Sequence, residues 1–234
     1  AKMFCIMMID LNDFKNVNDY YGHESGDFIL KEFSKRAMSC IKKSDIIARV
    51  GGDEFVIIVE DLVKYSYAGK IAARIIGLSK KPYFINEKYI KASVSIGIAC
   101  YPISGDSIDL LLRNSDLALY KAKNINNKYC YFSKEIQEVY LREKELENYI
   151  KSSFNDGLLD IVIQPQIDIQ TGGVTGGEVL LRVRGKNSSY LPENFIKTIE
   201  KIGMADRLNE YVVKRAIEYI NQQTFSHGQI ISLN

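Results

Sequence analysis

The stretch R-V-G-G-D-E-F at residues 49–55 lies between two short runs, residues 45–50 and 55–60, whose apolar and β-branched content is typical of strands. A short connection containing glycine between such runs predicts a β-hairpin. A hairpin turn needs small, flexible residues, which the two glycines supply, but it does not need two adjacent acids. Because glycine also lets a large anionic ligand approach the backbone, the acids predict a metal or phosphate site. An ordinary charged hairpin is the alternative.

Residues 3–9 form a continuous apolar run, which is typical of a strand buried on both faces. Asp10 follows this run directly, and open α/β sheets commonly place ligand-binding residues at the ends of such strands. If the hairpin is a neighbour of this strand, Asp10 and Asp53 converge on one cation. Two separated carboxylates together with substrate phosphate oxygens are the usual ligands of Mg²⁺.

Apolar residues recur with helical spacing in several segments, and short apolar runs lie between them. The pattern predicts helices over residues 14–21, 26–41, 65–79 and 107–123, and strands over residues 90–101 and 129–132. A long charged helix is predicted over residues 133–154, followed by strands over 161–165, 174–184 and 229–233 and helices over 192–202 and 204–221. Strands and helices in alternation predict an α/β fold.

Composition indicates a soluble intracellular protein. The 234 residues allow one or two domains, and the net charge of +2 argues against a nucleic-acid partner or a polybasic membrane anchor. No stretch has the length and apolarity of a transmembrane helix or the pattern of a signal peptide. Four cysteines in apolar patterns, without C-x-x-C spacing, predict buried free thiols in a reducing compartment. We therefore expect a cytoplasmic location, with any membrane anchor of a parent protein outside this sequence.

Four motifs, in order, resemble the GGDEF family of diguanylate cyclases, which condense two GTP molecules into cyclic di-GMP. They are D-L-N-D-F-K-N-V-N-D-Y-Y-G-H-E-S-G-D (10–27), R-V-G-G-D-E-F (49–55), S-V-S-I-G-I-A (93–99) and D-L-A-L-Y-K-A-K (116–123). The resemblance covers residues 1–132 and implies a central β-sheet flanked by helices, similar to nucleotidyl cyclases. The family's helix and L-T-G-L-x-N-R segment before the first strand are missing, so we expect a fragment of a larger protein.

Residues 156–234 resemble the start of an EAL domain, the cyclic di-GMP phosphodiesterase, and residues 133–155 are predicted as a linker helix. The EAL domain is a TIM-type barrel, a fold of about 250 residues, so this part is expected to be a truncated barrel. By resemblance, two residues match metal ligands and two match substrate contacts: Glu178 and Asn234, and Gln164 and Arg182. We expect this part to be inactive alone, and either to pair with another copy or to be poorly ordered.

The resemblance also implies roles around the metal of the cyclase site. Mg²⁺ or Mn²⁺ would be held by Asp10, the backbone carbonyl of Leu11 and Asp53. The metal would bridge triphosphate oxygens and lower the pKa of the attacking 3′-hydroxyl. Either Asp53 or Glu54 would accept the proton.

Phosphate binding is implied for a second group of residues. Lys15 and Lys123 would neutralise phosphate charge, because phosphoryl transfer depends on positioning and charge stabilisation. Backbone amides near Phe14 could line the phosphates as an anion site at a helix N-terminus.

Guanine recognition is implied for Asn18 and Asp27. A carboxylate accepts from the N1–H and N2–H₂ of guanine, and adenine lacks that pair of donors, so the wrong base leaves the site unpaired. Taken without the family, Asn18 is a turn residue and Asp27 a helix-terminal carboxylate. His23 either contacts substrate or orients the loop.

One departure from the family concerns feedback. The inhibitory product site uses R-x-x-D before the signature, and this chain has K-K-S-D at residues 42–45. Lysine lacks the planar fork that arginine offers to phosphate and guanine, so we expect weak product inhibition.

Two functions from different classes follow. The first is a Mg²⁺-dependent diguanylate cyclase that works as a homodimer, each domain bringing one GTP. The second is a regulatory module that binds GTP and controls an EAL phosphodiesterase without making product. In both, the expected ligands are GTP and cyclic di-GMP, and the expected partners are the rest of an EAL domain and a sensory domain.

Overall fold

A computed structural model of the protein describes residues 2–125, 128–184, 192–222 and 229–233. The chain divides into two compact units, Ala1–Tyr140 and Leu141–Asn234. The boundary falls inside a long helix, Lys134–Asn155, in the segment predicted as a linker. No helix in the described ranges is both long and apolar enough to cross a membrane.

The strands of the N-terminal unit are β1 (Phe4–Asn12), β2 (Ile46–Gly51), β3 (Glu54–Val59), β4 (Tyr83–Ile85), β5 (Lys88–Ile90), β6 (Ser93–Tyr101) and β7 (Tyr129–Tyr131). Five of them form the main sheet, in the order β2-β3-β1-β6-β7, and β4 and β5 form a separate two-stranded sheet. Its helices are α1 (Phe14–Tyr21), α2 (His23–Met38), α3 (Ser66–Ser79) and α4 (Ile108–Asn124), and the long helix is α5 (Lys134–Asn155). This arrangement confirms the predicted central sheet flanked by helices.

The pairing within this sheet differs from the open α/β sheets that motivated the interpretation of Asp10. Strand β1 is antiparallel to both neighbours, β3 and β6, and the parallel pair is β6 with β7. Asp10 lies inside β1 rather than after it, because the strand continues to Asn12. The position of Asp10 is therefore decided by its cross-strand partners rather than by a loop after the strand.

Both faces of β1 are covered, as its continuous apolar sequence predicts. On one face Met7 and Ile9 are fully buried in the main core, which includes Phe33 of α2. On the other face Ile6 packs with Ala99 of β6 and Leu111 of α4. Burying a strand on both sides holds its polar residues, including Asp10, in a rigid frame.

Helix α4 approaches the sheet very closely. Ser107 caps its N-terminus by accepting a hydrogen bond from the Leu110 amide, as predicted. A Cβ at Gly97 of β6 would collide with the backbone of Ser115 and Leu119. Glycine at this position therefore allows the contact that carries the end of α4 to the site.

The hairpin formed by β4 and β5 was not expected from the sequence, which predicts one strand over residues 90–101. Its turn residues, Asn86 and Glu87, both have positive φ (47° and 62°), the geometry of a two-residue primed turn. Glycine usually marks such a turn in a sequence, and glutamate is uncommon in that conformation, so the sequence did not predict this turn.

Helix α2 begins at His23, three residues before the predicted start.

The C-terminal unit contains β8 (Leu159–Ile167), β9 (Val174–Val183), α6 (Pro192–Lys201), α7 (Ala205–Gln222) and β10 (Ile230–Leu233). The sheet order is β10-β9-β8, with β8 and β9 antiparallel and β9 and β10 parallel. Two parallel strands joined through helices are the repeating unit of a TIM-type barrel. The unit has its own core, in which Phe195, Ile199 and Leu159 are buried, while Ile169 and Ile230 are exposed. The expectation that this part pairs with another copy stays a prediction.

Candidate active site

The acids of the two main motifs lie close together, near the C-terminal end of the central strand β1 and the turn between β2 and β3. The β1–β3 register places Asp10 opposite Glu54, and Asp53 lies in the two-residue turn between Gly51 and Glu54. The Leu11 amide donates to the Asp53 carbonyl oxygen at 3.3 Å, which ties the turn to β1. The structure therefore brings together all four residues that the sequence assigned to metal binding and proton transfer.

Asp10 is a buried acid with a cation beside it. Its side chain is 10% exposed, and Lys123 Nζ lies 2.7 Å from its Oδ2 atom. Burial raises the pKa of Asp10, the hydrogen bond and charge of Lys123 oppose that rise, and the charges of Asp53 and Glu54 add to it. The three acids thus concentrate negative charge at a point where a cation is stabilised.

These residues fit a magnesium ion that is shared with a nucleotide. Within the parts of the chain that the structure describes, no three His, Cys, Asp or Glu side chains form a metal-binding group. Mg²⁺ is usually held by one or two carboxylates plus substrate phosphates rather than by an all-protein cage. Asp10, Asp53 and the Leu11 carbonyl are hard oxygen donors of that kind.

Arg49 belongs to the R-V-G-G-D-E-F motif, and the sequence predicted no role for it. Its Nε donates to the Gly52 carbonyl oxygen at 2.8 Å, across the turn that carries Asp53. Gly52 has a φ of 35°, which few other residues adopt without strain. An arginine two residues before a pair of glycines and a pair of acids was the available signal.

Asn18 of α1 lies against α2 at the residue before Asp27. A Cβ at Gly26 would collide with the Asn18 side-chain oxygen, so glycine at that position makes room for Asn18. A cleft of about 530 Å³ is lined by Asp27, Leu30 and Arg49, among others. This cleft links Asp27, one of the two residues assigned to guanine, with the hairpin that carries the acids.

The other predicted substrate residues lie around α1 and the start of α2. Phe14 is the buried first residue of α1, following Asp13, which has a left-handed backbone (φ 56°). Lys15 is exposed on the same turn, and His23 is exposed at the first residue of α2. Phe14 is therefore a core residue whose side chain packs inward, so a contact with phosphate would come from its backbone amide.

Comparison with known proteins identifies the family of this arrangement. A family model described as "Diguanylate cyclase, GGDEF domain" matches residues 1–128. The chain belongs to the GGDEF family. A second model, "EAL domain", matches residues 147–234, so the GGDEF domain is followed by an EAL segment.

Curated relatives of this GGDEF chain include a protein named as a phosphodiesterase and a protein named as bifunctional. A "Cyclic di-GMP phosphodiesterase NbdA" from Pseudomonas aeruginosa is 33% identical over 92% of the chain and 28% of its own length. A "Bifunctional diguanylate cyclase/cyclic di-GMP phosphodiesterase MucR" from the same organism is 32% identical over 92% of the chain and 32% of its own length. The chain thus spans about a third of the length of these relatives.

A solved structure agrees with the fold of the N-terminal unit. The GGDEF domain of TpbB (YfiN) from Pseudomonas aeruginosa aligns with a TM-score of 0.59 at 30% sequence identity. The alignment covers 60% of this chain and 83% of that one. The GGDEF domain of this chain is therefore a mixed α/β fold of known type.

In the EAL segment, three of the four predicted residues share one face of the sheet. Gln164 of β8 lies opposite Glu178 of β9, and Arg182 lies four residues further along β9. Gln164 and Arg182 are exposed, and Glu178 is half-buried. Asn234 lies outside the described residues.

The K-K-S-D motif at residues 42–45 forms a tight turn. The Asp45 carboxylate accepts hydrogen bonds from the backbone amides of Lys42 (2.8 Å) and Glu60 (3.0 Å). Asp45 is thus already used in holding the turn before β2. Weak product inhibition through this motif remains a prediction.

Proposed function

We propose that this GGDEF domain is a diguanylate cyclase, which condenses two GTP molecules into cyclic di-GMP and releases pyrophosphate. The observation that carries the proposal is the pairing of Asp10 with Glu54 across β1 and β3, with Asp53 in the adjoining turn and Lys123 at 2.7 Å from Asp10. Paired acids beside a phosphate-binding cation are what a metal-assisted phosphoryl transfer requires.

In this proposal each residue acts on a defined part of GTP. Asp10, Asp53 and the Leu11 carbonyl would hold Mg²⁺, which supplies the Lewis acid for the triphosphate and activates the 3′-hydroxyl. Glu54 or Asp53 would take the proton of that hydroxyl. Lys123 would stabilise charge on the phosphates, since its position at the end of α4 already lies beside the acids.

Selectivity for guanine would come from the other end of the cleft. Asn18 lies against Gly26, the residue before Asp27, and Arg49 lines the same cleft as Asp27. A carboxylate that accepts two hydrogen bonds from guanine is left without those donors by adenine, so binding of adenine would be weaker.

The reaction needs two sites, since each GTP contributes one 3′-hydroxyl and one α-phosphate. The N-terminal unit offers a single hairpin with Asp53 and Glu54. We therefore propose that two copies of the domain face each other as a homodimer, each holding one GTP.

A second candidate function is supported by one finding. A relative with 33% identity carries the name of a phosphodiesterase alone, and an EAL segment follows the GGDEF domain here as well. In this alternative the GGDEF domain binds GTP with the same residues and controls an EAL phosphodiesterase.

The deciding experiment incubates the chain, and its parent protein, with GTP and Mg²⁺ and analyses the nucleotides by liquid chromatography and mass spectrometry. The cyclase proposal expects cyclic di-GMP, and loss of at least about a hundredfold in Asp53→Ala, because removal of a metal ligand withdraws several kcal/mol of transition-state stabilisation. Asp61→Asn is the matched control, since Asp61 is an exposed acid that pairs with Lys2 on the surface. GTP binding without any product would favour the regulatory module, and normal synthesis by Asp53→Ala would contradict the site.

A further inference from the structure

A second cavity lies on the opposite flank of α1 from Asn18 and Asp27. It has a volume of about 850 Å³, within the range of sites for drug-sized ligands, and neither Asn18 nor Asp27 lines it. The cavity is open to solvent and is bordered by α1, the end of β1 and the segment from β5 to β6.

The helical wall of this cavity is one face of α1. Asp13, Asn16, Val17 and Tyr20 line it, with spacings of three and four residues that put them on the same side of a helix. Asn18 points instead toward Gly26 of α2. Helix α1 therefore separates the candidate active site from the second cavity.

The opposite wall presents an aromatic ring and a cation side by side. Ile90 and Ala92 are buried, so Tyr89 and Lys91 project together to the other side of this extended segment. Tyr89 is 74% exposed, and its ring lies 5.0 Å from that of Phe84 across the β4–β5 hairpin. The hairpin thus holds an exposed tyrosine at the rim of the cavity.

We propose that this cavity binds a nucleotide. Tyr20 and Tyr89 offer exposed ring faces on which a base can stack, and Lys80 and Lys91 offer two ammonium groups for phosphate. Stacking on aromatic rings and pairing with lysine are how proteins bind nucleotide bases and phosphates without reading the base sequence. A wholly apolar ligand would not pair with either lysine, and a simple anion would not stack on the tyrosine rings.

The floor of the cavity leads to the candidate active site through hydrogen bonds. Asn12 lines the cavity; its amide donates to the Ser93 hydroxyl (3.0 Å), and its oxygen accepts from the Ser95 hydroxyl (2.9 Å). Ser95 is fully buried and lies opposite Asp10 in the β1–β6 register. A nucleotide that moved Asn12 would therefore act on the strand that carries Asp10.

The test measures binding of ATP to the intact chain by isothermal titration calorimetry. ATP serves as probe because the Asn18–Asp27 pair is expected to disfavour adenine, and Asp27→Ala is titrated in parallel to exclude binding there. We expect Tyr89→Ala and Lys91→Ala each to weaken ATP binding by about tenfold, the loss of one stacking or charge contact. Tyr67→Ala and Lys70→Ala, exposed positions on α3 outside the cavity, are matched controls with no expected change.

Four results would overturn the inference. Three concern ATP: no binding at millimolar concentration, binding that Tyr89→Ala and Lys91→Ala leave unchanged, and binding that disappears in Asp27→Ala. The fourth is tripolyphosphate that binds as tightly as ATP, because the base would then contribute nothing. Tyr89 and Lys91 are exposed, so their variants are expected to fold, and thermal unfolding checks this. The inference does not depend on cyclase activity, since only binding is measured.

Discussion

The GGDEF domain and the EAL segment place polar residues on sheets in contrasting ways. In the GGDEF domain Asp10 sits on a strand buried on both faces, and its partners come from a hairpin and from α4. In the EAL segment Gln164 and Glu178 face each other on a three-stranded sheet whose β10 is half-exposed at Ile231 and Ser232. The difference shows why Asp10 interacts strongly with its neighbours: it is buried, and burial strengthens interactions between charges.

The largest expected effect is on stability, and it concerns two glycines, one in each unit. Gly97→Ala forces a Cβ against the backbone of α4, and Gly176→Ala forces one against the Ile230 carbonyl oxygen of β10. We expect Gly97→Ala to lower the free energy of unfolding by about 3 kcal/mol or more, because neither backbone can move. Gly176→Ala should lower the free energy of unfolding by less, since β10 can separate from β9 without opening a main core.

Gly77→Ala is the matched control for both. No heavy atom in the described part of the chain lies within 4 Å of a Cβ built at Gly77, which is exposed in α3. Alanine there should raise stability by about 0.5–1 kcal/mol through helix propensity. Equal losses for Gly97→Ala and Gly176→Ala in thermal and denaturant unfolding would break the comparison.

The second effect is on metal binding. Asp10→Asn should weaken Mn²⁺ binding in the presence of GTP by about a hundredfold, because it removes a buried anionic ligand. Glu178→Gln should leave Mn²⁺ binding unchanged. Glu178 is half-buried, and it is the one predicted EAL metal ligand among the residues that the structure describes. Electron paramagnetic resonance of free Mn²⁺ measures both, and a loss in Glu178→Gln would show that the EAL segment already holds metal.

The third effect concerns the base. Asp27→Ala should reduce the preference of the chain for GTP over ATP by about tenfold or more, because it removes the acceptor for guanine N1–H and N2–H₂. Competition of each nucleotide against labelled GTP gives the ratio. Asp19→Ala, an exposed acid on α1, is the control, and an unchanged ratio in Asp27→Ala would reject the guanine assignment.

The smallest effect concerns product binding at residues 42–45. Lys42→Arg restores the planar fork and should tighten cyclic di-GMP binding by about fivefold, with Lys43→Arg as control. This variant is preferable to Asp45→Ala, because Asp45 holds the turn through the amides of Lys42 and Glu60. Tight binding by the native chain, unaltered in Lys42→Arg, would contradict the prediction of weak feedback.

Local sequence was sufficient for the elements with clear periodicity or clear turn chemistry. The run at residues 3–9, the glycine hairpin and the Ser107 cap all appear in the structure as predicted. The β4–β5 hairpin was missed, because Glu87 adopts a conformation that is usually signalled by glycine. Arg49 was missed for a different reason: its bond to Gly52 depends on the turn being closed.

The sequence by itself determined the kinds of group available, namely acids beside glycine, a buried strand with an acid near its end, and lysine at the end of a helix. Only the tertiary structure decided which of them meet. The antiparallel register sets Asp10 against Glu54, and the close packing of α4 brings Lys123 to Asp10 from 113 residues away. It also decided that α1 divides Asn18 from the cavity lined by Tyr20. Such pairings depend on which faces bury together, and no local pattern contains that information.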